Sequence, residues 1–279
     1  MATDRPRATL PLFFWDARGQ ALSKGAGHFK IGNFGDLASA DIVAWLAGSP
    51  VHHAVADGSE RRLLAIGSIL HCARDGDVVW GAGLKGSAAD RFAARDLDIR
   101  SVRGPITYDF LKRRGIALDK VSTLFDPGTL APLLPAFAGR RVDPLPRRPL
   151  AIIPHFRDMG WFRLRHWRHR AATLSVDRTL IDMMAAIAAA DRVISSSLHG
   201  IIVAEALGVP AVWLAPRSDE SLLKYYDYYY STERYDVTPC ATLAAALRRE
   251  PPPLPHFDHQ AMIASFPNDR LADLRGGDA

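Results

Sequence analysis

Short apolar runs alternate with helix-like segments along the whole chain, the pattern of an α/β protein. Residues 10–15 read as the first buried strand, and Asn33-Phe-Gly-Asp36 caps a helix over residues 37–46 that closes near Gly48. Residues 63–69, 78–80 and 99–103 are further short buried strands. Pro105 stands at a first helical position, where its missing N–H costs nothing, and that helix runs through Tyr108 and Leu111 to Gly115. Residues 123–128 form a strand that ends in the turn Asp126-Pro-Gly128.

The periodicity then breaks. Residues 132–149 are rich in proline and arginine and read as a linker. A strand restarts over residues 150–153, and an Ala- and Met-rich helix covers residues 179–190. The proline-rich residues 251–255 mark another break, followed by a final helix over residues 258–274. These divisions predict two α/β domains, residues 1–140 and 141–279, facing a cleft with the hinge near residue 140.

Within the second half, residues 192–214 form one βαβ unit that carries an ionisable residue packing does not explain. Val193 and Ile194 end a strand, and Ser195 to Ser197 offer N-cap hydroxyls. Residues 201–207 make an apolar helix closed by Gly208, and residues 211–214 resume a strand. His199 therefore sits at the first helical turn, at the carboxyl end of a strand. Ligands of open α/β sheets bind there, and free backbone N–H groups attract anions there. A lone histidine is usually a packed one; three hydroxyls and a glycine beside it make this position a site.

Composition narrows the classes. At 279 residues and 48% hydrophobic content, the chain can bury one large core or two moderate ones. Its two cysteines, Cys72 and Cys240, are too few for a disulfide scaffold or a zinc site and point to a reducing compartment. Residues 9–15 turn polar too soon for a signal peptide, and no apolar stretch approaches the roughly 20 residues needed to cross a bilayer. The net charge of +5 suits an anionic small molecule, an acidic membrane surface or nucleic acid. The densest basic cluster, residues 163–170 (Arg-Leu-Arg-His-Trp-Arg-His-Arg), lies in no nucleic-acid-binding module. It reads as a solvated loop or a contact with lipid headgroups or a polyanionic glycan, so no nucleic-acid partner is expected.

Other candidate groups cluster at strand ends. Arg103 closes one strand just before a helix, a good place to clamp a carboxylate or phosphate bidentately, although a surface arginine is an equal reading of the position alone. His155 ends the strand over residues 150–154 and faces the expected cleft, followed by Arg157 and Asp158. Lys224 opens Lys-Tyr-Tyr-Asp-Tyr-Tyr-Tyr230, either a buried aromatic face or a tyrosine-lined sugar platform. Gly81-Ala-Gly-Leu-Lys-Gly86 matches a dinucleotide-binding pattern and raises a nicotinamide-dependent dehydrogenase as a rival. The confirming acid should end the next strand, but that strand ends in arginine, so these glycines read as a tight turn near a ligand or an interface. No residues show metal-ligand spacing, and no G-x-S-x-G elbow supports a serine hydrolase.

These segments in this order resemble the polysaccharide pyruvyl transferase family. The resemblance rests on Asn33-Phe-Gly-Asp36, Trp80-Gly-Ala-Gly83, Val102-Arg-Gly-Pro105 with Thr107, Asp126-Pro-Gly128, Pro154-His-Phe156, Ser195-Ser-Ser-Leu-His-Gly200 and Lys224-Tyr-Tyr-Asp-Tyr228, over roughly residues 10–235. The pattern is closest to enzymes that put pyruvate ketals on bacterial exopolysaccharides such as xanthan and succinoglycan. It implies two Rossmann-like domains in a GT-B-like arrangement, the first on the acceptor side and the second, with His199, on the donor side. It also implies transfer of an enolpyruvyl-derived group from phosphoenolpyruvate, with His199 as general acid and Arg103 and Lys224 near the donor's carboxylate and phosphate. Asn33, Asp36, Gly83, His155 and Ser197 complete the expected substrate site, without a cofactor or metal. A lipid-linked oligosaccharide acceptor follows from the resemblance, and with it a cytoplasmic protein touching the inner membrane through residues 163–170. Two other classes remain open: a GT-B-type glycosyltransferase using a nucleotide sugar, for which only the buried Glu205 offers a ribose-binding acid, and a non-catalytic glycan-binding protein.

Overall fold

The computed structural model describes residues 9–18, 29–55, 58–139 and 146–276. Its first half contains β1 Leu10–Phe13, β2 Val51–His53, β3 Leu63–Leu64, β4 Val78–Trp80, β5 Asp98–Val102 and β6 Thr123–Leu124. They form one parallel sheet in the order β2-β1-β3-β4-β5-β6, with helices α1 Phe34–Ala47, α2 Pro105–Arg113 and α3 Pro135–Ala138. The second half holds a parallel sheet of β7 Ala151–Ile153, β8 Val193–Ser195 and β9 Ala211–Trp213. Around it stand α4 Met159–Arg165, α5 Leu180–Ala188, α6 Leu198–Ala206, α7 Leu223–Ser231 and α8 Leu243–Arg248, followed by α9 His259–Ala264 and α10 Leu271–Leu274. The mixed α/β class expected from the alternation is therefore present.

The strands are short because little else is needed: β1, β4, β7, β8 and β9 are buried at every residue, as parallel strands covered on both faces must be. Helix starts follow local chemistry. The Asn33 side chain accepts from the Gly35 N–H at the head of α1, and Thr179 accepts from the Asp182 N–H at the head of α5. Pro105 opens α2, and α1 ends at Gly48 in the left-handed region. Two expectations change. The strand expected over residues 63–69 ends at Leu64, and the chain leaves the sheet before Gly67, whose φ is +117°. The final helix is split into α9 and α10 around Pro267, which lacks the N–H to continue the ladder. The hinge expected near residue 140 lies outside the described residues.

One hydrophobic core spans both sheets. Leu12 and Trp80 of the first, Ile153 and Val193 of the second, and Phe34, Ile201 and Ile202 from the helices between them belong to a single buried cluster. Smaller clusters cover the outer faces, around Phe13, Val79 and Ile99 on one sheet and Ile152, Ile194 and Val212 on the other. The end of the chain returns to the first sheet. Phe266 packs edge-on against Trp80 at 5.0 Å, the Trp80 indole donates to Ser265 Oγ at 2.9 Å, and Arg275 donates to the Ala47 carbonyl.

Candidate active site

Strand ends from both sheets open into one cavity of ≈ 250 Å³. Its lining includes Trp15 after β1, Ser68 after β3, Lys85 after β4, His155 after β7 and Ser197 to His199 after β8. These are the carboxyl ends of parallel strands, where α/β sheets bind ligands.

The serine run acts differently from the expected caps. Ser197 holds the N-cap position of α6 but makes no capping bond with its side chain. Ser195 Oγ instead accepts from the Ser197 N–H at 3.0 Å, and Ser196 Oγ accepts from the His155 N–H at 2.9 Å. The hydroxyls therefore stitch the ends of β7 and β8 together, which turns His155 and His199 toward the same space.

His199 lies over the first turn of α1. A Cβ at position 35 would sit 2.1 Å from its Nδ1, so only glycine there leaves room for the ring. This gives Asn33-Phe-Gly-Asp36 a double purpose: Asn33 starts the helix, and Gly35 seats the imidazole. Burial pushes His199 down to about 3, helped by the positive charges of Lys224 and Arg103, so the ring is neutral at pH 7. His155 is likewise driven to about 3 by burial and by Lys224. Asp36 moves the other way, up to about 7, because burial outweighs the pull of Lys224.

Lys224, in the first turn of α7, donates to Glu220 Oε1 at 3.0 Å. The other oxygen of Glu220 stands 3.8 Å from both His155 Nε2 and Arg157 Nη1. One carboxylate thus lies among the basic groups that would hold an anionic ligand. Burial lowers the Lys224 pKa, and Glu220 opposes that fall.

Six of the predicted residues line the cavity: His199, Lys224, Asn33, Asp36, His155 and Ser197. Arg103 and Gly83 do not. The Arg103 side chain is fully buried, with Nε donating to Asp227 Oδ2 at 3.2 Å, Nη2 to the Leu84 carbonyl at 3.0 Å and Nη1 to Ser68 Oγ at 2.8 Å. Its bond to Ser68, which lines the cavity, links it to the site. Gly83 is glycine because the guanidinium lies on it; a Cβ there would come within 2.1 Å of Arg103 Cζ. The turn Gly81–Gly86 leads into a short 3-10 segment, Gly86–Arg91, rather than the α-helix a dinucleotide pyrophosphate requires.

The tyrosine segment is core. Tyr225, Tyr228 and Tyr229 are buried, Tyr225 stacks on Trp213 at 4.8 Å, and its hydroxyl donates to the Ser196 carbonyl at 2.6 Å. Sequence reasoning missed Lys85, Glu220 and Asp126. Lys85 and Glu220 sit in turns without periodicity, and an Asp before Pro-Gly reads as a turn former whatever else it does. Asp126 Oδ1 does accept from the Gly128 N–H at 2.9 Å, but its Oδ2 lies 4.0 Å from His199 Nε2.

Two parallel sheets bring a mostly buried histidine and several basic side chains to one cavity of an α/β protein. The chain belongs to the polysaccharide pyruvyl transferase family, whose model matches residues 6–218. It is similar to an uncharacterized protein of Acanthamoeba polyphaga mimivirus, 30% identical over 172 residues, or 58% of this chain and 57% of that one. The chain thus spans little more than half the length of that relative. Among solved structures, an uncharacterized protein from Klebsiella pneumoniae is 13% identical with a TM-score of 0.46, covering 84% of this chain and 94% of its own.

Proposed function

We propose that this protein transfers the enolpyruvyl-derived group of phosphoenolpyruvate to a sugar of an exopolysaccharide repeat unit, as a pyruvate ketal of the xanthan or succinoglycan type, and releases phosphate. The observation that carries this reading is His199, mostly buried and neutral, facing the same cavity as Lys224, Lys85 and Arg157. The cavity, ≈ 250 Å³, is slightly smaller than the usual ligand pocket of about 300 to 1,000 Å³. That size suits a compact donor better than a nucleotide sugar. Two bodies facing this cleft, one taking the acceptor and one the donor, would be a GT-B-like arrangement, and the strand ends converging from both sheets support it.

The chemistry follows from charge. A bound trianion offsets the field of Lys224 and Arg103 and favours the imidazolium, so donor binding loads His199 with its proton. His199 gives that proton to the methylene carbon, leaving positive charge at C2. A sugar hydroxyl attacks C2 and returns its proton to His199. The C2–O bond to phosphate breaks, and the neighbouring hydroxyl closes the ring, its proton leaving with phosphate.

A glycosyltransferase using a nucleotide sugar is the less favoured reading. The acid offered by the helix after Ser197 is Glu205, whose oxygens are held by Arg234 at 2.7 Å and by the Tyr228 hydroxyl at 2.6 Å. Incubation with phosphoenolpyruvate and candidate oligosaccharides should release phosphate only when an acceptor is present. Sugar transfer from a nucleotide donor, with no phosphate from phosphoenolpyruvate, would overturn the proposal.

The reading extends to a lipid-linked acceptor and a peripheral position at the cytoplasmic face of the inner membrane. Among the described residues no helix is long and apolar enough to cross a membrane. Support comes from the surface of α4 and the turn after it, where Trp161, Leu164 and Trp167 are 39%, 80% and 66% exposed among exposed Arg163, Arg165, Arg168 and Arg170. Interfacial aromatics flanked by arginine suit an anionic bilayer surface. At about 1 kcal/mol per engaged basic residue, Arg165→Ser with Arg168→Ser should weaken binding to acidic phospholipid vesicles roughly thirtyfold at low salt. Sedimentation with vesicles reads this directly; unchanged binding removes the membrane from the reading.

A further inference from the structure

Two buried polar atoms at the candidate site have no hydrogen-bond partner among the described residues, and they face each other. They are Nε2 of His199 and Oδ2 of Asp126, 4.0 Å apart. The Asp126 side chain is fully buried, and its other oxygen is already taken by the Gly128 N–H. A proton on Nε2 satisfies both orphans at once, after a torsional adjustment that closes the gap to the roughly 2.7–2.9 Å of a charge-assisted bond. The opposite edge of the ring, with Nδ1, lies over Gly35 at the head of α1, where Asn33 and Asp36 line the cavity.

We infer that Asp126 is the positioning residue of the acid: its carboxylate accepts the Nε2–H of His199, fixes the ring's tautomer and leaves Nδ1 for the donor. The consequence for turnover rests on the pyruvyl-transfer reading; the pairing itself does not. During the reaction the imidazolium holds two protons. Nδ1 gives one to the methylene carbon as the C–H bond forms from the double bond's electron pair. The Nε2 proton stays on its nitrogen, bonded to Asp126, and the hydroxyl proton of the attacking sugar restores Nδ1. Asp126 is therefore a fixed counter-ion that makes the charged ring affordable in a dry site.

The surrounding charges and burial set the resting state of the two groups. Burial raises Asp126 to about 6, opposed by Arg103 at the end of β5 and reinforced by Asp227 on α7. His199 is lowered by burial, by Lys224 on α7 and by Arg103, while Asp36 on α1 adds a group that titrates near 7. At neutral pH this leaves a carboxylate beside a neutral ring, the state in which Nε2–H donates to Oδ2.

The test is nitrogen-15 NMR of histidine-labelled full-length protein, with the His199 signal assigned by its loss in His199→Gln. In the unmodified protein the neutral ring should carry its proton on Nε2; a ring protonated on Nδ1 would overturn the pairing, whatever any variant does. Asp126→Asn keeps the size of the side chain and an oxygen for the Gly128 N–H. With inorganic phosphate bound, its His199 should lose its proton at a pH at least about one unit lower than in the unmodified protein, a tenfold change in proton affinity. An unchanged midpoint in a folded Asp126→Asn protein also overturns the inference. In the transfer assay, kcat should fall about tenfold, with donor KM within twofold and the alkaline limb of the rate profile moved to lower pH. If the unmodified protein releases no phosphate with any acceptor, the transfer reading fails while the NMR results still decide the pairing.

Discussion

His199→Gln is expected to fold, to bind phosphoenolpyruvate within several-fold of the unmodified protein, and to form ketal about 10² times more slowly or worse. That scale is the usual loss when a general acid is removed. Glutamine keeps a polar side chain over Gly35 but has no proton to give at neutral pH. Donor affinity should survive because the basic residues around the pocket, Lys224, Lys85 and Arg157, are untouched. The unmodified rate should decline as pH rises through the pKa of the donor-loaded histidine, because the protonated ring is the reactive form. The variant's residual rate should lose that decline. Calorimetry for binding and phosphate release for turnover separate the two effects. A folded variant with near-normal turnover would make His155, which lines the same cavity, the acid to test.

Arg103→Ala is expected to destabilise the protein by about 3–5 kcal/mol, the usual cost of leaving one member of a buried ion pair alone. Arg103 and Asp227 are both fully buried, and their contact joins the end of β5 to α7. Asp227 also accepts from the Ile106 and Thr107 N–H groups at 2.9 and 3.0 Å, so it ties the first turn of α2 to the same point. Alanine removes the guanidinium and leaves Asp227, Ser68 and the Leu84 carbonyl without it. Arg103→Lys should recover part of the loss, since a lysine keeps the charge but cannot reproduce the planar fork. Urea denaturation measures both. An alanine variant of normal stability that no longer binds phosphoenolpyruvate would restore Arg103 as a direct clamp on the donor.

The contrast between these two residues shows what the sequence makes legible. His199 stands out because a polar group at the start of an apolar helix, just past a strand, has few structural reasons to be there. Asn33 announces itself through capping chemistry and Ser197 through its place just before a helix, and the α/β class follows from the alternation of short apolar runs with helices. Arg103 sits at an equally suggestive strand end, yet nothing in its own segment reveals Asp227, its partner 124 residues later. A clamp and a buried strut look alike until the partner is placed. Asp126 is hidden for the opposite reason: its local task as a turn former explains it fully, so no residue type is left over to ask about. The strand expected through Ile69 fails because apolar residues also pack beyond a sheet's edge, and period alone does not say where pairing stops.

The return of the chain's last segment onto the first sheet has a consequence for synthesis. Met262, Phe266, Leu271 and Leu274 are part of the core that holds Leu10, Leu12 and Trp80. On the ribosome the first sheet emerges early, but its Trp80 face, covered in part by Phe125, stays incompletely covered until those residues have been made. The N-terminal half therefore cannot complete its packing ahead of the rest, as independent domains commonly do during translation. A nascent chain stalled near residue 250 should hold a wet, sticky sheet, so the first sheet matures only after Met262, Phe266, Leu271 and Leu274 have been made.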